Sequence, residues 1–244
     1  MWNCYLNDFS EKTIDYKQYI VDSKLRYFKP HATKIEKSFA EEISYSLNQN
    51  SKFINPKFFY DRKGSDLFES ITLLPEYYPT RTEISILKKL KHDLPSYLDE
   101  NMNLVELGSG ASVKTRLILD IFTKLQVKTE YFPIDISEIL TESSEQLLKD
   151  YDTLHITGII DTYEGGLEFL KTYDDKKNLI LFLGSSFGNF TPDDGKLFLE
   201  KIFSTMNSDD LFLIGLDLVK DKHILESAYD DSQGVTAKFN LNVL

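Results

Sequence analysis

From residue 102 onward, short apolar runs alternate with segments of helical periodicity. The apolar runs cover residues 103–110, 130–137, 153–160, 178–186 and 210–219, and an amphipathic segment follows each one. Buried strands that alternate with helices are typical of a parallel sheet with helices on both faces. The pattern therefore predicts a three-layer α/β fold whose ligands bind at the carboxyl ends of the strands.

The residues before this region follow a different pattern, so we predict a division into residues 1–101 and residues 102–244. The first part is expected to be mostly helical and to contribute to a substrate site. Its beginning, residues 1–29, is polar and aromatic, which is typical of an arm that lies on the main body.

Apolar residues recur at helical spacing within residues 33–94. The predicted helices and their capping residues are 33–49 with Thr33, 66–72 with Ser65, and 83–94 with Thr80 or Thr82. A further helix is predicted from about residue 221, and the chain stops at residue 244 inside an apparently helical pattern.

The charge and composition narrow the class of protein. The 244 residues carry a formal net charge of −11, which argues against nucleic acid or an anionic membrane as partner. The longest apolar run is too short to span a bilayer, and we expect no signal peptide. One cysteine allows no intrachain disulfide, and four scattered histidines show no metal-ligand spacing. We therefore expect a cytoplasmic protein with a small-molecule substrate and no metal, and leave its oligomeric state open.

The first predicted strand ends in the glycine loop ELGSG, residues 106–110. Glycine lets the backbone turn tightly and approach a ligand closely. A nicotinamide-binding loop needs a third glycine where Val113 stands, which makes a dehydrogenase a distant alternative. Glu106 would repel a pyrophosphate but suits a cation. The loop is instead of the type that class I methyltransferases use for S-adenosylmethionine, which carries a sulfonium and an ammonium group.

An acidic residue ends the second predicted strand. Asp135 can accept hydrogen bonds from both hydroxyl groups of a ribose. The competing interpretation is a cap for the following helix, a role that Ser137 can also fill. The third strand leads to a turn where an adenine edge would lie, with Thr162 and Tyr163 as candidate contacts. These features predict a nucleoside cofactor but do not name the substrate.

Four longer segments resemble one enzyme family. They are residues 57–83, 104–116, 181–194 and 215–244. The family is that of the histidine-specific methyltransferases, which use S-adenosylmethionine to trimethylate the α-amine of histidine to hercynine on the route to ergothioneine. The resemblance covers about residues 50–244. It implies a class I methyltransferase fold, which is Rossmann-like, with S-adenosylmethionine as cofactor and histidine as the favoured substrate.

The family's motifs imply cofactor contacts by position. Gly108 and Lys114, in the first loop, would contact the cofactor, and Asp135 would hold its ribose. Thr162 and Tyr163 would lie at the adenine, although the family often has an acid where Thr162 stands.

The same motifs imply the catalytic and substrate-binding residues. Tyr60 would lie by the methionine end of the cofactor, and Tyr77 would face the substrate. Asn189 would bind the amino acid at its α-amino or carboxylate end, Tyr229 would help to hold the carboxylate, and Gly184 would line the same crevice. The competing interpretations are helix packing for Tyr229 and a helix cap for Asn189.

The chemistry suits aromatic residues beside a small substrate. Methyl transfer needs a neutral amine in line with the sulfonium and no competing water. Successive methylations give a more apolar cation, which an aromatic face attracts by about 0.5–2 kcal/mol. In the proline-stiffened stretch 74–83 we expect Tyr77 to face the substrate, Tyr78 to pack, and Arg81 and Glu83 to tie the loop to its surroundings.

The strand count departs from the family's pattern. A class I methyltransferase sheet has seven strands, of which we recognise five, so we expect the last two strands to be missing and a sheet edge to be exposed. In the relatives, the residues that recognise the imidazole follow in a further third of the protein. We therefore expect weak or no histidine methylation by this chain alone. Two alternatives stay open: methylation of another aromatic amino acid or amine, and a cofactor-binding fragment without catalysis.

Overall fold

A computed structural model describes residues 15–31, 39–110, 112–137, 139–173 and 175–243. These residues form two compact units that interleave along the chain. The first unit combines described residues up to 30 with 79–218, and the second combines those of 31–78 with those from 219 onward. The functional division at residue 101 stays a prediction.

The first unit is built on a seven-stranded sheet. Its strands are β1 (Tyr16–Ile20), β2 (Leu25–Pro30), β3 (Met102–Leu107), β4 (Thr129–Asp135), β5 (Leu154–Ile160), β6 (Lys177–Phe182) and β7 (Leu211–Ile214). They lie in the order β1-β2-β5-β4-β3-β6-β7, and every neighbouring pair is parallel except β1 with β2. The predicted parallel sheet from residue 102 onward is confirmed, and its strand order reverses between β3 and β6.

Helices accompany both units. They are α1 (Phe39–Leu47), α2 (Arg62–Thr72), α3 (Tyr78–Leu90), α4 (Thr115–Leu125), α5 (Ile139–Asp150), α6 (Tyr163–Tyr173), α7 (Pro192–Thr205), α8 (Lys222–Tyr229) and α9 (Val235–Leu241). None of the described helices is long and apolar enough to cross a membrane.

The sheet is covered by helices on both faces. Leu104 of β3 packs in one core cluster with side chains of α3, α4 and α5, including Ile118. Val105, the next residue, packs in a second cluster with side chains of α6 and α7, including Ile202. Because successive residues of a strand point to opposite faces, these clusters are the two layers of core that the sequence predicts.

The N-terminal segment supplies the two strands that the sequence analysis missed. β1 and β2 form a hairpin whose turn is closed by Asp22, since its carboxylate accepts hydrogen bonds from the backbone N–H groups of Lys24 (2.7 Å) and Leu25 (2.9 Å). β2 then pairs in parallel with β5, placing Leu25 opposite Ile156. The predicted arm is therefore part of the sheet over Tyr16–Pro30, where it covers the edge of β5.

Two predicted helix starts are corrected by the structure, and a third is not described by it. Asp61, not Ser65, caps α2 by accepting a 2.7 Å hydrogen bond from the backbone N–H of Gly64. Helix α3 begins at Tyr78, so Thr80 and Thr82 lie inside it and cap nothing. Its second residue is Pro79. Proline is tolerated there because the backbone N–H groups of the first turn have no acceptor within the helix, so the missing N–H costs no hydrogen bond. The predicted cap at Thr33 lies outside the described residues, which take up that helix at Phe39.

The second unit has its own small core. Helices α2, α8 and α9 contribute Ile71, Ala228 and Phe239, and the loop before α3 contributes Leu74 and Tyr77. The predicted helix near residue 221 is confirmed as α8, whose first backbone N–H groups are capped by Asp221. The strand predicted over 210–219 is shorter than expected and ends at Ile214.

Candidate functional site

Predicted cofactor and substrate residues gather at one end of the sheet in the first unit. Gly108 follows β3, Asp135 ends β4, Thr162 and Tyr163 follow β5, and Gly184 follows β6. Parallel strands place their carboxyl ends along one edge, and the reversal between β3 and β6 opens a crevice there. The structure therefore brings these five residues to the edge at which such sheets bind ligands.

The glycine loop after β3 has the backbone conformation that only glycine adopts easily. Gly108 has φ 75° and Gly110 has φ 47°. A Cβ atom on Gly108 would lie 2.8 Å from the hydroxyl oxygen of Tyr163, whereas a Cβ atom on Gly110 would meet no described atom within 4 Å. Gly108 is thus required by the packing, and the space in front of Gly110 is open to a ligand.

Between these glycines lies a buried hydroxyl group that has no hydrogen-bond partner among the described residues. Ser109 is 6% exposed, and its Oγ makes no hydrogen bond among the described residues. A buried polar group without a partner costs free energy, so such groups in native proteins usually bind water or a ligand. Ser109 is not among the residues predicted from the sequence, although its position between two glycines is a signal for a ligand contact.

Asp135 presents a carboxylate beside the same loop. One oxygen accepts a hydrogen bond from the backbone N–H of Ser137 at 2.9 Å. Burial raises the pKa of Asp135, and backbone N–H groups, first that of Ser137, act against this rise. Ser137 in turn caps the next helix, because its Oγ accepts from the backbone N–H of Ile139 at 3.2 Å. The cap that competed with the ribose role of Asp135 is therefore supplied by Ser137.

Glu106 does not face the ligand edge as a solvated anion. Its carboxylate is 3% exposed and accepts hydrogen bonds from Thr115 Oγ1 (2.7 Å) and Tyr131 Oη (2.5 Å), both of them ending on Oε2. Burial raises the pKa of this carboxyl to about 7, while the two hydrogen bonds oppose the shift. Glu106 thus links β3 to α4 and β4 under the loop, and the expectation that it meets a cofactor cation directly is not what the structure shows.

The turn after β5 is occupied by local hydrogen bonds. Thr162 Oγ1 accepts from the backbone N–H of Gly165 at 3.2 Å, so this side chain caps α6. Asp161, one residue earlier, accepts a 2.5 Å hydrogen bond from the hydroxyl of Tyr16 in β1. Burial, and after it this hydrogen bond, raise the pKa of Tyr16. The ring of Tyr163 packs on Phe182, with centroids 5.6 Å apart.

Lys114 takes part in an ion pair at the crevice. Its Nζ lies 2.7 Å from Oε2 of Glu83 in α3. The same carboxylate accepts the backbone N–H of Gly184, at 2.9 and 3.0 Å from its two oxygens. Glu83, which we expected to tie the tyrosine-rich stretch to its surroundings, therefore has Lys114 and Gly184 as its partners.

Asn189 lies exposed at the end of a 3-10 turn, Ser186–Asn189, that follows β6. It does not cap α7, because Thr191 does so by accepting from the backbone N–H of Asp194 at 3.2 Å. The turn begins at Ser185, whose φ of 57° is uncommon for a residue other than glycine. Strained backbone of this kind is often found at functional sites.

In the second unit, the predicted tyrosines belong to an aromatic cluster. Tyr77 is 5% exposed, and its ring stands perpendicular to that of Tyr229, with centroids 5.8 Å apart. Tyr229 is 55% exposed, so one side of this pair faces solvent. The half-exposed ring of Tyr60 meets Phe68 and Phe239 edge to face, at 5.5 and 5.4 Å. The structure thus brings Tyr77 and Tyr229 together.

Tyr77 was expected to face the substrate and Tyr78 to pack, but the structure does not separate the two residues in this way. Tyr78 is half-buried, and Lys220 Nζ donates a 2.9 Å hydrogen bond to its hydroxyl while lying 4.2 Å from the ring centroid. Tyr77 is the more deeply buried of the two. Both rings therefore pack, and the side chain that we expected to face a substrate lies within the core of the second unit.

Comparisons with known proteins identify relatives over most of the chain. The family model for histidine-specific, S-adenosylmethionine-dependent methyltransferases matches residues 39–244. The chain is 38% identical over 214 residues to a histidine N-alpha-methyltransferase of Mycolicibacterium smegmatis, covering 87% of this chain and 66% of that protein. It is 35% identical over 187 residues to ergothioneine biosynthesis protein 1 of Neurospora crassa, covering 76% of this chain and 21% of that protein.

Among solved structures, an S-adenosylhomocysteine-bound methyltransferase of Podospora anserina is similar at 14% identity, with a TM-score of 0.39 and coverage of 87% of this chain and 88% of that one. The chain spans about two thirds of the length of the mycobacterial relative and about a fifth of the fungal one. On the match of the family model and the identity to the mycobacterial protein, the chain belongs to the histidine-specific, S-adenosylmethionine-dependent methyltransferase family.

Proposed function

We propose that this chain binds S-adenosylmethionine at the carboxyl ends of β3, β4 and β5 and serves in the methylation of the α-amine of histidine. The observation that carries the proposal is the glycine loop, which combines open space at Gly110 with the Ser109 hydroxyl, a buried group that no described residue hydrogen-bonds. Both features fit a polar ligand that approaches the backbone closely. Histidine is favoured because the mycobacterial relative is named for that substrate.

The cofactor would be held along the ligand edge of the first unit. The Asp135 carboxylate, which already accepts the backbone N–H of Ser137 on one oxygen, would also accept hydrogen bonds from the ribose hydroxyl groups. The loop at Gly108 would lie under the nucleoside. Thr162 and Tyr163 would border the adenine. The hydrogen bond that Thr162 Oγ1 accepts from the backbone N–H of Gly165 would hold this turn in place. When bound, the cofactor supplies the methyl group from its sulfonium.

Two residues of the first unit would serve the amino acid. Asn189 is exposed and has both a donor and an acceptor, so its amide can bind an α-amine or an α-carboxylate. Gly184, with φ 85°, brings backbone to the same edge without a side chain. Their proposed task is to orient the amine and keep its lone pair available.

In the second unit, the proposal assigns aromatic contacts to Tyr60, Tyr77 and Tyr229. The paired rings of Tyr77 and Tyr229 offer π faces and two hydroxyl groups within one cluster. Such faces attract the methylated ammonium product by about 0.5–2 kcal/mol per ring. Tyr60 would lie by the methionine end of the cofactor.

The proposal includes a cytoplasmic location and no nucleic acid partner. A single cysteine suits a reducing compartment, and a net charge of −11 opposes binding to a polyanion. Cell fractionation tests the location, and a gel-shift assay with single- and double-stranded nucleic acid tests the second statement.

Two measurements test the function itself. Calorimetry with S-adenosylmethionine and S-adenosylhomocysteine is expected to show one binding site per chain. Mass spectrometry of histidine, tryptophan and phenylalanine incubated together with protein and S-adenosylmethionine is expected to show at most weak methylation by this chain alone, with histidine the first to gain one to three methyl groups. Methylated tryptophan without methylated histidine would show that the substrate is tryptophan. Cofactor binding without any methylated amino acid would show that the chain binds the cofactor but does not catalyse methylation.

A further inference from the structure

Glu83 connects three segments that are distant in the sequence. It lies in the second turn of α3, and its carboxylate reaches Lys114 at the start of α4 and the backbone N–H of Gly184 after β6. The Glu83 and Lys114 side chains are 14% and 24% exposed, so the pair is partly shielded from water and from salt. A charge pair in this setting is stronger than one on an open surface.

The carboxylate of Glu83 lies against the backbone of Gly215, in a notch that exists because Gly215 has no side chain. A Cβ atom on Gly215, which follows β7, would lie 1.9 Å from Oε1 of Glu83. The backbone N–H of Gly215 is itself bonded to the carbonyl oxygen of Phe182 at 2.8 Å, which fixes the notch beside the end of β6. Any side chain at position 215 would therefore displace the Glu83 carboxylate.

The ammonium group of Lys114 is thereby held at the crevice. A Cβ atom on Gly184 would lie 3.1 Å from Lys114 Nζ, so the cation lies directly over the backbone where β6 ends. An ammonium has three N–H donors, and Glu83 accepts one of them at 2.7 Å. A lysine on a flexible stem loses less conformational entropy on binding a ligand when an ion pair has already ordered it.

We propose that Glu83 is a positioning residue, which orders Lys114 so that its ammonium binds the carboxylate at the amino-acid end of the cofactor. This inference rests on the proposed function. The carboxylate is the one anionic group of S-adenosylmethionine and of S-adenosylhomocysteine, and adenosine lacks it. The pair should therefore matter for the amino-acid end and leave the nucleoside end unaffected.

The test is calorimetry of the protein with S-adenosylhomocysteine and with adenosine. The variants are Glu83→Gln, Lys114→Met and the double variant, with Asp150→Asn as a matched control that breaks an exposed ion pair, Asp150 with Arg116, in the same unit. Glu83→Gln keeps the shape and an acceptor for Gly184, which favours a folded protein, and circular dichroism checks this. Gly215→Ala displaces the same carboxylate without altering Glu83.

We expect Glu83→Gln, Gly215→Ala and Lys114→Met each to weaken S-adenosylhomocysteine binding by about tenfold to a hundredfold, as for hydrogen bonds to charged groups. Adenosine affinity should stay within about twofold, and the double variant should be no weaker than Lys114→Met alone, since coupled residues are not additive. Asp150→Asn should change neither affinity.

Three results would overturn the inference while the proposed function stands. They are unchanged S-adenosylhomocysteine affinity in folded Glu83→Gln, an equal loss for adenosine, and multiplying effects in the double variant. A wild-type protein that binds neither ligand would overturn the proposed function and this inference together.

Discussion

The hydroxyl group of Tyr131 donates a 2.5 Å hydrogen bond to the carboxylate of Glu106 inside the core layer between β3, β4 and α4. Both side chains are buried, since Tyr131 is 0% and Glu106 3% exposed. A carboxyl group in such a place is neutral over a wider pH range than in water. The support beneath the glycine loop is therefore sensitive to pH.

Replacing Glu106 by Gln should change the pH dependence of stability. The unfolded chain releases this proton near the ordinary pKa of 4.5, and the folded protein releases it at a pKa of about 7. Between these values the folded state binds more protons, so the free energy of unfolding falls as the pH rises, by at most about 1.4 kcal/mol per pH unit. Urea titrations at several pH values measure the free energy of unfolding. As the pH rises to about 7, this free energy should increase for Glu106→Gln relative to the wild type, and above pH 7 the difference should stay constant. Curves of the variant and the wild type that are parallel throughout this pH range would contradict the prediction.

Ser109→Ala should separate stability from binding. Removing a buried hydroxyl that has no hydrogen-bond partner within the described part of the chain should leave the free energy of unfolding unchanged or raise it by up to about 1 kcal/mol. The matched control is Ser144→Ala, which loses a 2.7 Å hydrogen bond to the carbonyl oxygen of Leu140 and should cost about 1 kcal/mol. Calorimetry should show weaker S-adenosylhomocysteine binding for Ser109→Ala only. If both variants lost equal stability, a hidden partner for Ser109 would be indicated.

Asp135→Asn should weaken the binding of adenosine and S-adenosylhomocysteine alike. Asparagine retains an oxygen for the Ser137 N–H but loses the charge and the second acceptor that a ribose would use. We expect a loss of about tenfold or more in affinity for both ligands, measured by calorimetry. Ser137→Ala removes only the cap on Ile139 and serves as the control. Full affinity in Asp135→Asn would refute the ribose role.

Tyr77→Phe should distinguish packing from chemistry. The ring is 5% exposed and packs against Tyr229, so the phenylalanine variant should stay within about 1 kcal/mol of the wild type, whereas Tyr77→Ala should lose about 3–5 kcal/mol. Thermal unfolding measures both. If the hydroxyl contacts the substrate, mass spectrometry should show less methylated histidine for Tyr77→Phe despite normal stability. Unaltered methylation would leave Tyr77 with a packing role alone.

The periodic part of the fold was predictable because its signals are local. Five apolar runs ending in glycines or acids define β3 to β7 and place Gly108, Asp135 and Gly184 at one edge. The hairpin β1–β2 was missed because its stability is not local. Its strands carry charged residues such as Lys17 and Arg26, and its second strand is held by β5, far along the chain.

Side-chain roles at the site were harder to predict than positions. Glu106 reads as an exposed acid next to a loop, and only the fold reveals that Thr115 and Tyr131 enclose it. Capping was misassigned at Ser65 because Asp61 lies four residues earlier and competes for the same backbone groups. Tyr77 has the same local pattern whether it packs or binds, so its burial could not be deduced from the sequence.

The parallel pairing of β2 with β5 has a consequence for the order of folding. Leu25 leaves the ribosome long before Ile156, its partner in the sheet. Closing so long a loop costs entropy that is recovered only after β3, β4 and β5 have assembled. Strand β2 thus docks only after β5 has formed, although β5 follows it in the chain, and hydrogen-exchange labelling during refolding should record protection of β4 amides before those of β2.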